Sequence, residues 1–397
     1  MRILFLSFYY RPDLCAGSFR ATPLVEALVT LAPAGTRIDV VTTQPNRYRS
    51  FSAESPQFEE YQGLSVFRIA LPGHQSGMLD QSKAFLAFAR AALRRVADRD
   101  YDVVVSTSSR LMTAVLSAWI ARRKKAKLYL DIRDIFVDTI KDVLPRRFTW
   151  FARPFFSLLE RFAVNQADRV NLVSAGFRPY FTARYPRQRF SYFTNGVDDE
   201  FVAAAPSAAG VSAQPPDDRP LTVLYAGNLG EGQGLHAILP ALARRMQDRV
   251  RFLIIGDGGR RRALAAALDE FHVTNVELLP PVDRDTLLRE YARADVLFVH
   301  LNAWDAFEKV LPSKLFEYAA LGKPVWAGVG GYAAQFVRAE ITNAAVFRPC
   351  DVEGAVLAFG TLDLKVTPRA DFVARYARAK ISRDMASDIM ALATAHG

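Results

Sequence analysis

Cysteine is scarce in this chain: Cys15 and Cys350 are the only two in 397 residues, and they lie far apart. That excludes a disulfide framework and offers no metal-ligand spacing, so a reduced, cytoplasmic protein is expected. Histidine is scarce too. His74, His236, His272, His300 and His396 form no local cluster, and no structural zinc is expected. No apolar run is long enough to span a bilayer. The apolar start, 1–8, is short, and Tyr9-Tyr10-Arg11-Pro12-Asp13 follows it instead of a small-residue cleavage site. It reads as a buried first strand rather than a signal peptide. No Gly-x-Gly-x-x-Gly follows that strand, which disfavours a nicotinamide oxidoreductase.

Basic residues exceed acidic ones, giving a formal charge of +10. Such an excess favours a polyanionic partner. With no zinc finger, RNA-recognition signature or basic heptad helix, no nucleic acid is expected, and an anionic membrane surface is the better candidate.

Half the residues are apolar, enough for a core in each of two domains. Short apolar runs at 3–7, 38–42, 66–69, 103–106, 127–130 and 170–173 read as strands, with helical patterns near 19–31, 83–96 and 113–122. A low-complexity stretch of alanine, serine and proline at 203–216 marks a surface loop near a domain junction. Strand-like runs resume at 222–226, 250–255, 276–279, 296–300 and 324–327. This alternation implies an α/β fold with mostly parallel sheets and helices on both faces. Ligands bind such sheets at the carboxyl ends of the strands.

The stretch 307–325 is the most informative. Pro312 suits the first position of a helix, placing Ser313 and Lys314 in its first turn beside free backbone N–H groups. Glu317 follows Lys314 by three residues and shares its face. Gly322 and Pro324 end the helix and restart the chain as a strand. Phosphate-binding amides, a cation and a carboxylate that accepts from sugar hydroxyls meet at one helix end. That is the chemistry needed to hold a nucleotide diphosphate sugar.

This stretch resembles the nucleotide-sugar motif of the family 4 glycosyltransferases, in particular the bacterial O-antigen and capsular polysaccharide branch that reads "PSKLFEY…GKP". The resemblance runs in the family's order from Met1 to about Pro349. It implies a GT-B fold, two Rossmann-like domains facing across a cleft, and retaining transfer of a sugar. The expected domains are 1–198 on the acceptor side and 199–371 on the donor side, with the tail from about 372 packing back on the first. Many members keep two spaced glutamates. Counting back from Glu317 by that spacing lands on Lys309, and the nearest glutamate is Glu308.

Other motifs take their roles from the same resemblance. After the first strand, Gly17 allows close backbone approach and Ser18 is a candidate helix N-cap. The family places this loop against the donor or the acceptor. A strand at 222–226 runs into Gly227, Gly230, Gly232 and Gly234, a loop able to present amides to a diphosphate. Asn228 and Gln233 stand where relatives carry cations, so Lys314 would carry more of the charge. Gly256 begins another strand-to-helix glycine turn, placed near the nucleobase by the resemblance. Asp131, Arg133 and Asp134 end a strand, as a site or a structural ion pair; the resemblance puts Arg133 and Asp134 near the reacting sugar. Asn195-Gly196-Val197-Asp198 resembles the family's "NGVD", at the hinge and cleft floor. Two Asp-x-Asp pairs, 98–100 and 283–285, read as solvated helix caps rather than metal sites.

The segment 146–162 is basic and aromatic, interrupted by Pro154. It reads as an interfacial membrane helix, or else as a core helix with snorkelling arginines. His74 to Met78 and the helix near 83–90 are candidate acceptor-side elements. The expected function is transfer of a sugar, an N-acetylated hexose, from a UDP-linked donor to a polyprenyl-diphosphate-linked glycan. The acceptor sits at the inner face of a bacterial membrane. No cofactor or metal is expected. Asp134, Arg133, Glu308 and Lys314 are the catalytic candidates; Gly17, Asn228, Gly230, Gly232, Gln233, Gly256, Ser313, Lys314 and Glu317 are the donor-binding ones. The alternatives are a sugar-nucleotide epimerase of the same shape and a nonenzymatic membrane-associated relative.

Overall fold

A computed structural model describes residues 1–13, 15–45, 55–71, 78–108, 110–135, 137, 146–206 and 219–394. The expected acceptor loop at 74–77 and most of the low-complexity stretch lie outside them. The chain forms two compact units, Met1–Thr194 with Ala379–Gly397, and Asn195–Arg378. The boundaries fall at 194/195 and 378/379, against the expected 198/199 and about 372.

The first unit holds β1 (Arg2–Ser7), β2 (Arg37–Thr43), β3 (Phe58–Tyr61), β4 (Leu64–Ile69), β5 (Val103–Ser108), β6 (Lys127–Ile132), β7 (Arg169–Leu172) and β8 (Phe190–Ser191). They form one sheet in the order β3-β4-β2-β1-β5-β6-β7-β8. Only the β3–β4 pair is antiparallel among the described residues. The central strands are buried along their length, as a sheet covered on both faces requires. Phe5, Val40 and Val105 stand side by side in the ladder. On their face pack Leu24, Val25 and Leu28 of the helix Ala16–Leu31, and Met385, Ala386 and Ile389 of the helix Arg378–Thr394. Each fully buried aliphatic side chain there contributes about 1.5–3 kcal/mol. Asp388 pins the last helix to the sheet, accepting from Tyr129 Oη at 3.1 Å, Arg169 at 2.6 Å and Ser191 Oγ at 2.6 Å.

The second unit holds β9 (Leu221–Ala226), β10 (Val250–Ile255), β11 (Val276–Leu279), β12 (Val296–His300), β13 (Val325–Gly328) and β14 (Ala344–Phe347). All pairs are parallel, in the order β11-β10-β9-β12-β13-β14. Alternate residues serve two cores. Leu224 and Ala226 face Leu315 and Phe316, while Val223 and Tyr225 face Leu235 and Ile238. The strand order reverses between β9 and β12, so a crevice opens at their carboxyl ends. In the first unit the reversal lies between β1 and β5.

The expected strands form. β3, β8 and β14 were not expected: β3 is a polar edge strand, β8 has two residues, and β14 begins with two alanines.

Candidate active site

The crevice of the second unit is built from the turns after β9, β10 and β12. The chain leaves β9 through Gly227 to Gly234, then enters the helix Leu235–Arg245. Gly256 lies against this loop. A Cβ there would sit 1.9 Å from the Gly227 carbonyl oxygen, and Gly256 φ is +153°. The glycine is thus required by the close approach of two backbones, whether or not a base lies nearby. Gly232 lies against the tip of the Phe307 ring: a Cβ there would meet it at 2.7 Å, so the ring would have to shift.

Asn228 and Gln233 are engaged with each other. Asn228 Nδ2 donates to Gln233 Oε1 at 2.7 Å, and the Gly230 amide donates to the same oxygen at 3.3 Å. These three groups hold the loop in shape. The Gly230 amide, expected to face a phosphate, is turned inward.

The helix after β12 is Lys314–Ala320, with Ser313 as its N-cap. Pro312 stands two residues ahead of the helix rather than at its first position, and its carbonyl accepts from Leu315 N at 3.2 Å. Lys314 and Glu317 meet as the spacing requires: Nζ donates to Oε2 at 2.9 Å. Lys314 also donates to Tyr291 Oη at 3.3 Å, and its Cε stands 3.7 Å from where a Gly227 Cβ would be. The cation therefore lies directly at the glycine loop. Burial works against its charge, but the Glu317 carboxylate and the Tyr318 phenol outweigh this and raise the Lys314 pKa. Glu317 is buried while Lys314 is partly open, so one end of the pair reaches the crevice.

Tyr291 was not foreseen. It comes from the helix Arg284–Arg293 and reads in sequence as a core aromatic. The pair Asp283 and Asp285 is exposed at a helix start, as the reading of solvated caps has it, and Arg284 between them does something else. Asp283 does cap its helix, accepting from Thr286 N at 2.8 Å, but Arg284 turns inward to Asp198 and Glu200. Asp198 also takes Arg378. Beside it Val197 and Tyr376 to Arg378 run together, Val197 N to Tyr376 O and Arg378 N to Val197 O, both 2.8 Å. A Cβ on Gly196 would lie 2.8 Å from the Tyr376 carbonyl.

His300, at the end of β12, was also missed. Its Nδ1 lies 2.7 Å from the Gln233 carbonyl, and its Nε2 accepts from the Cys350 amide at 2.9 Å. These partners fix a neutral ring with the proton on Nδ1. Burial lowers its pKa to about 4.

Glu308 is exposed and sits in a short turn, Asp305–Lys309. Gly331 lies against it: a Cβ would be 2.0 Å from the Glu308 carbonyl, and Gly331 φ is +50°.

In the first unit, Gly17 and Arg133 come together. A Cβ on Gly17 would stand 3.1 Å from the Arg133 guanidinium and 3.1 Å from the Tyr9 ring. Ser18 is not the cap; Cys15 holds that position and Ser18 is buried inside the helix. Asp131 resolves as a structural ion pair. Arg20 grips it with two bonds, 2.7 and 2.8 Å, and Asn171 adds a third at 2.8 Å. Burial would raise its pKa, but Arg20 and Asn171 outweigh that and lower it. Asp134 has no such counterweight: burial pushes its pKa up to about 6, with Arg133 only partly opposing. Among the described residues no group of three His, Cys, Asp or Glu side chains gathers to hold a metal ion.

In the helix Arg146–Gln166, Phe155 and Leu158 are exposed between exposed Arg153 and Arg161. Glu160 is turned inward, accepting from Tyr180 Oη at 3.0 Å and Tyr185 Oη at 2.9 Å. No described helix is long and apolar enough to cross a membrane.

Comparison with known proteins places this geometry. Residues 20–196 match the family described as a glycosyl transferase 4-like domain, and residues 211–362 match the glycosyl transferases group 1. WcaI of Escherichia coli, named for a glycosyl transferase role in colanic acid biosynthesis, is 32% identical over 107 residues. That match spans 27% of this chain and 26% of the relative. Among solved structures, a sucrose-phosphate synthase from Thermosynechococcus elongatus is similar with a TM-score of 0.68 at 16% identity, covering 99% of this chain and 96% of that one. HepE of Anabaena, solved with UDP and glucose, gives 0.66 at 15% identity, covering 98% and 100%. WaaG, a glycosyltransferase involved in lipopolysaccharide biosynthesis, gives 0.63 at 13% identity, covering 98% and 97%. With both units matched by glycosyltransferase families and the whole chain superposing on these structures, the protein belongs to the family 4 glycosyltransferases and has their GT-B fold.

Proposed function

We propose that the protein is a retaining glycosyltransferase of cell-surface polysaccharide assembly. It moves a sugar, an N-acetylated hexose, from a UDP-linked donor to a polyprenyl-diphosphate-linked glycan at the inner face of the membrane. The observation that carries this reading is the Lys314–Glu317–Tyr291 cluster set at the glycine loop, where the strand order reverses. The UDP bound by the similar HepE and the polysaccharide roles of WcaI and WaaG support it.

In this reading Lys314 faces the diphosphate and Glu317 accepts from ribose hydroxyls. As the glycosidic bond breaks, negative charge grows on the leaving diphosphate, and a fixed cation stabilises that charge more than it stabilises the ground state. The raised pKa keeps Lys314 charged throughout. Glu308 serves the sugar hydroxyls. In the first unit Arg133 and Asp134 serve the reacting sugar, and Gly17 lets the backbone come close. Retention rests on the family, and the anomeric configuration of the product tests it.

Calorimetric titration with UDP, GDP, ADP and NAD is the first test. UDP alone is expected to bind, with at least a tenfold loss (about 1.4 kcal/mol) in Glu317→Ala. Binding of NAD, or equal binding of all four, overturns the donor assignment. Turnover of the donor with and without a lipid-linked acceptor then separates a transferase from an epimerase and from an inactive relative.

Phe155 and Leu158 support a peripheral seat on the membrane, apolar groups inward and Arg153 and Arg161 on head groups. Cosedimentation with anionic vesicles should fall about tenfold when both are replaced by serine. Unchanged cosedimentation would remove this helix from the membrane contact.

A further inference from the structure

The turns after β12, β13 and β14 enclose a cavity of about 460 Å³, within the range of roughly 300–1,000 Å³ typical of small-molecule sites. It lies beyond Phe307 from the glycine loop: Gly232 touches one edge of that ring, and Trp304 stacks on it at 5.5 Å and 14°. Its lining includes Trp304, Asp305, Phe307 and Glu308, together with Arg338 and Arg348.

The two arginines differ in their surroundings from many others of this unit. Elsewhere in this unit Arg219, Arg251, Arg284, Arg293, Arg375 and Arg378 are each bonded to a carboxylate. The guanidinium groups of Arg338 and Arg348 have no hydrogen-bond or ion-pair partner among the described residues, and both residues are exposed. Asn302, also on the wall, is spent internally on Glu231 O and Ala303 N. A stacked aromatic pair suits the apolar face of a pyranose, and two uncommitted guanidinium groups suit an anion.

We infer that this cavity binds a sugar unit carrying a negative charge, with Trp304 and Phe307 under the ring and Arg338 and Arg348 on the anionic group. The inference rests on the glycosyltransferase reading only in taking the ligand to be a saccharide. The charge is a carboxylate or a phosphate ester, both of which a guanidinium fork receives.

The test is ligand-observed NMR titration of the full chain with methyl glucuronide, glucose 6-phosphate and methyl glucoside, with and without UDP. At least one anionic sugar is expected to bind, and the neutral glucoside at least about tenfold more weakly. Preference between the two anions names the carboxylate or the phosphate as the group received. Arg338→Ala with Arg348→Ala should lose that tenfold while binding UDP as before; both positions are exposed, so the fold should tolerate them. Equal binding of charged and neutral sugars, binding unchanged in the double variant, or no binding of any of the three overturns the inference. Loss of UDP binding in Lys314→Met with anionic-sugar binding kept would show the two sites to be separate. Failure of the wild-type chain to bind UDP would sink the donor reading and leave the sugar result to stand or fall alone.

Discussion

Lys314→Met is expected to abolish nucleoside diphosphate binding and to lower stability by roughly 2–3 kcal/mol. The stability loss comes from Glu317, a buried carboxylate left without its hydrogen-bonded cation; Tyr291 Oη lies 3.5 Å away, and the Arg284 charge that also acts on it is bonded to Asp198 and Glu200. Breaking a buried pair costs about 3–5 kcal/mol, and the figure is reduced here because the lysine side chain is 27% exposed and water reaches it. Removing both charges, in Lys314→Met with Glu317→Gln, takes away the unpaired carboxylate as well as the cation. Most of the stability should return, since replacing a whole buried pair is far cheaper than halving it. The binding should not return, because the Lys314 cation is still missing from the glycine loop. Urea denaturation measures the first quantity and calorimetry the second. A double variant that binds UDP as well as the wild type would show that the pair serves the fold alone.

What the sequence disclosed and what it withheld divide along chain distance. The strands were legible because a parallel sheet covered on both faces turns each strand into a short apolar run. Lys314 and Glu317 were legible because three residues on a helix is itself a contact. Tyr291 was not, because its phenol meets them only after the helix Arg284–Arg293 packs beneath β9. The same holds for Asp131, whose carboxylate looks identical in sequence whether it awaits a substrate or Arg20. Glycines misled in a different way. Gly256 reads as a ligand turn, yet the atom that forbids its side chain is the Gly227 carbonyl. A glycine needed for backbone against backbone and one needed for backbone against phosphate leave the same letter. Asn228 and Gln233 were read by what relatives carry there, and the structure gives them a partner in each other.

His300 leads to the other large effect, a stability that falls with acid. The unfolded chain takes up this proton at the ordinary value of 6.5, the folded chain only near 4. Within that interval the proton binds the unfolded state alone and draws the equilibrium toward it. Stability is therefore fully present above about pH 6.5 and declines as the pH falls toward the folded value, by about 3 kcal/mol across the interval. The geometry gives the reason. Protonation at Nε2 would set a second N–H against the Cys350 amide, two donors with no acceptor between them, in a site only 1% exposed. Because Nδ1 also holds the Gln233 carbonyl, the loop proposed to carry the diphosphate should loosen with the same titration. Asp134, pushed up to about 6, also titrates in this range, so the measurement is a difference. Urea denaturation of wild type and His300→Gln is compared at about pH 7.5 and about pH 4.5, glutamine keeping a donor and an acceptor without a titrating ring. The variant should start lower at neutral pH and lose less on acidification. Parallel losses in the two proteins would mean that His300 is not the group that titrates, and the acid sensitivity of the loop would need another source.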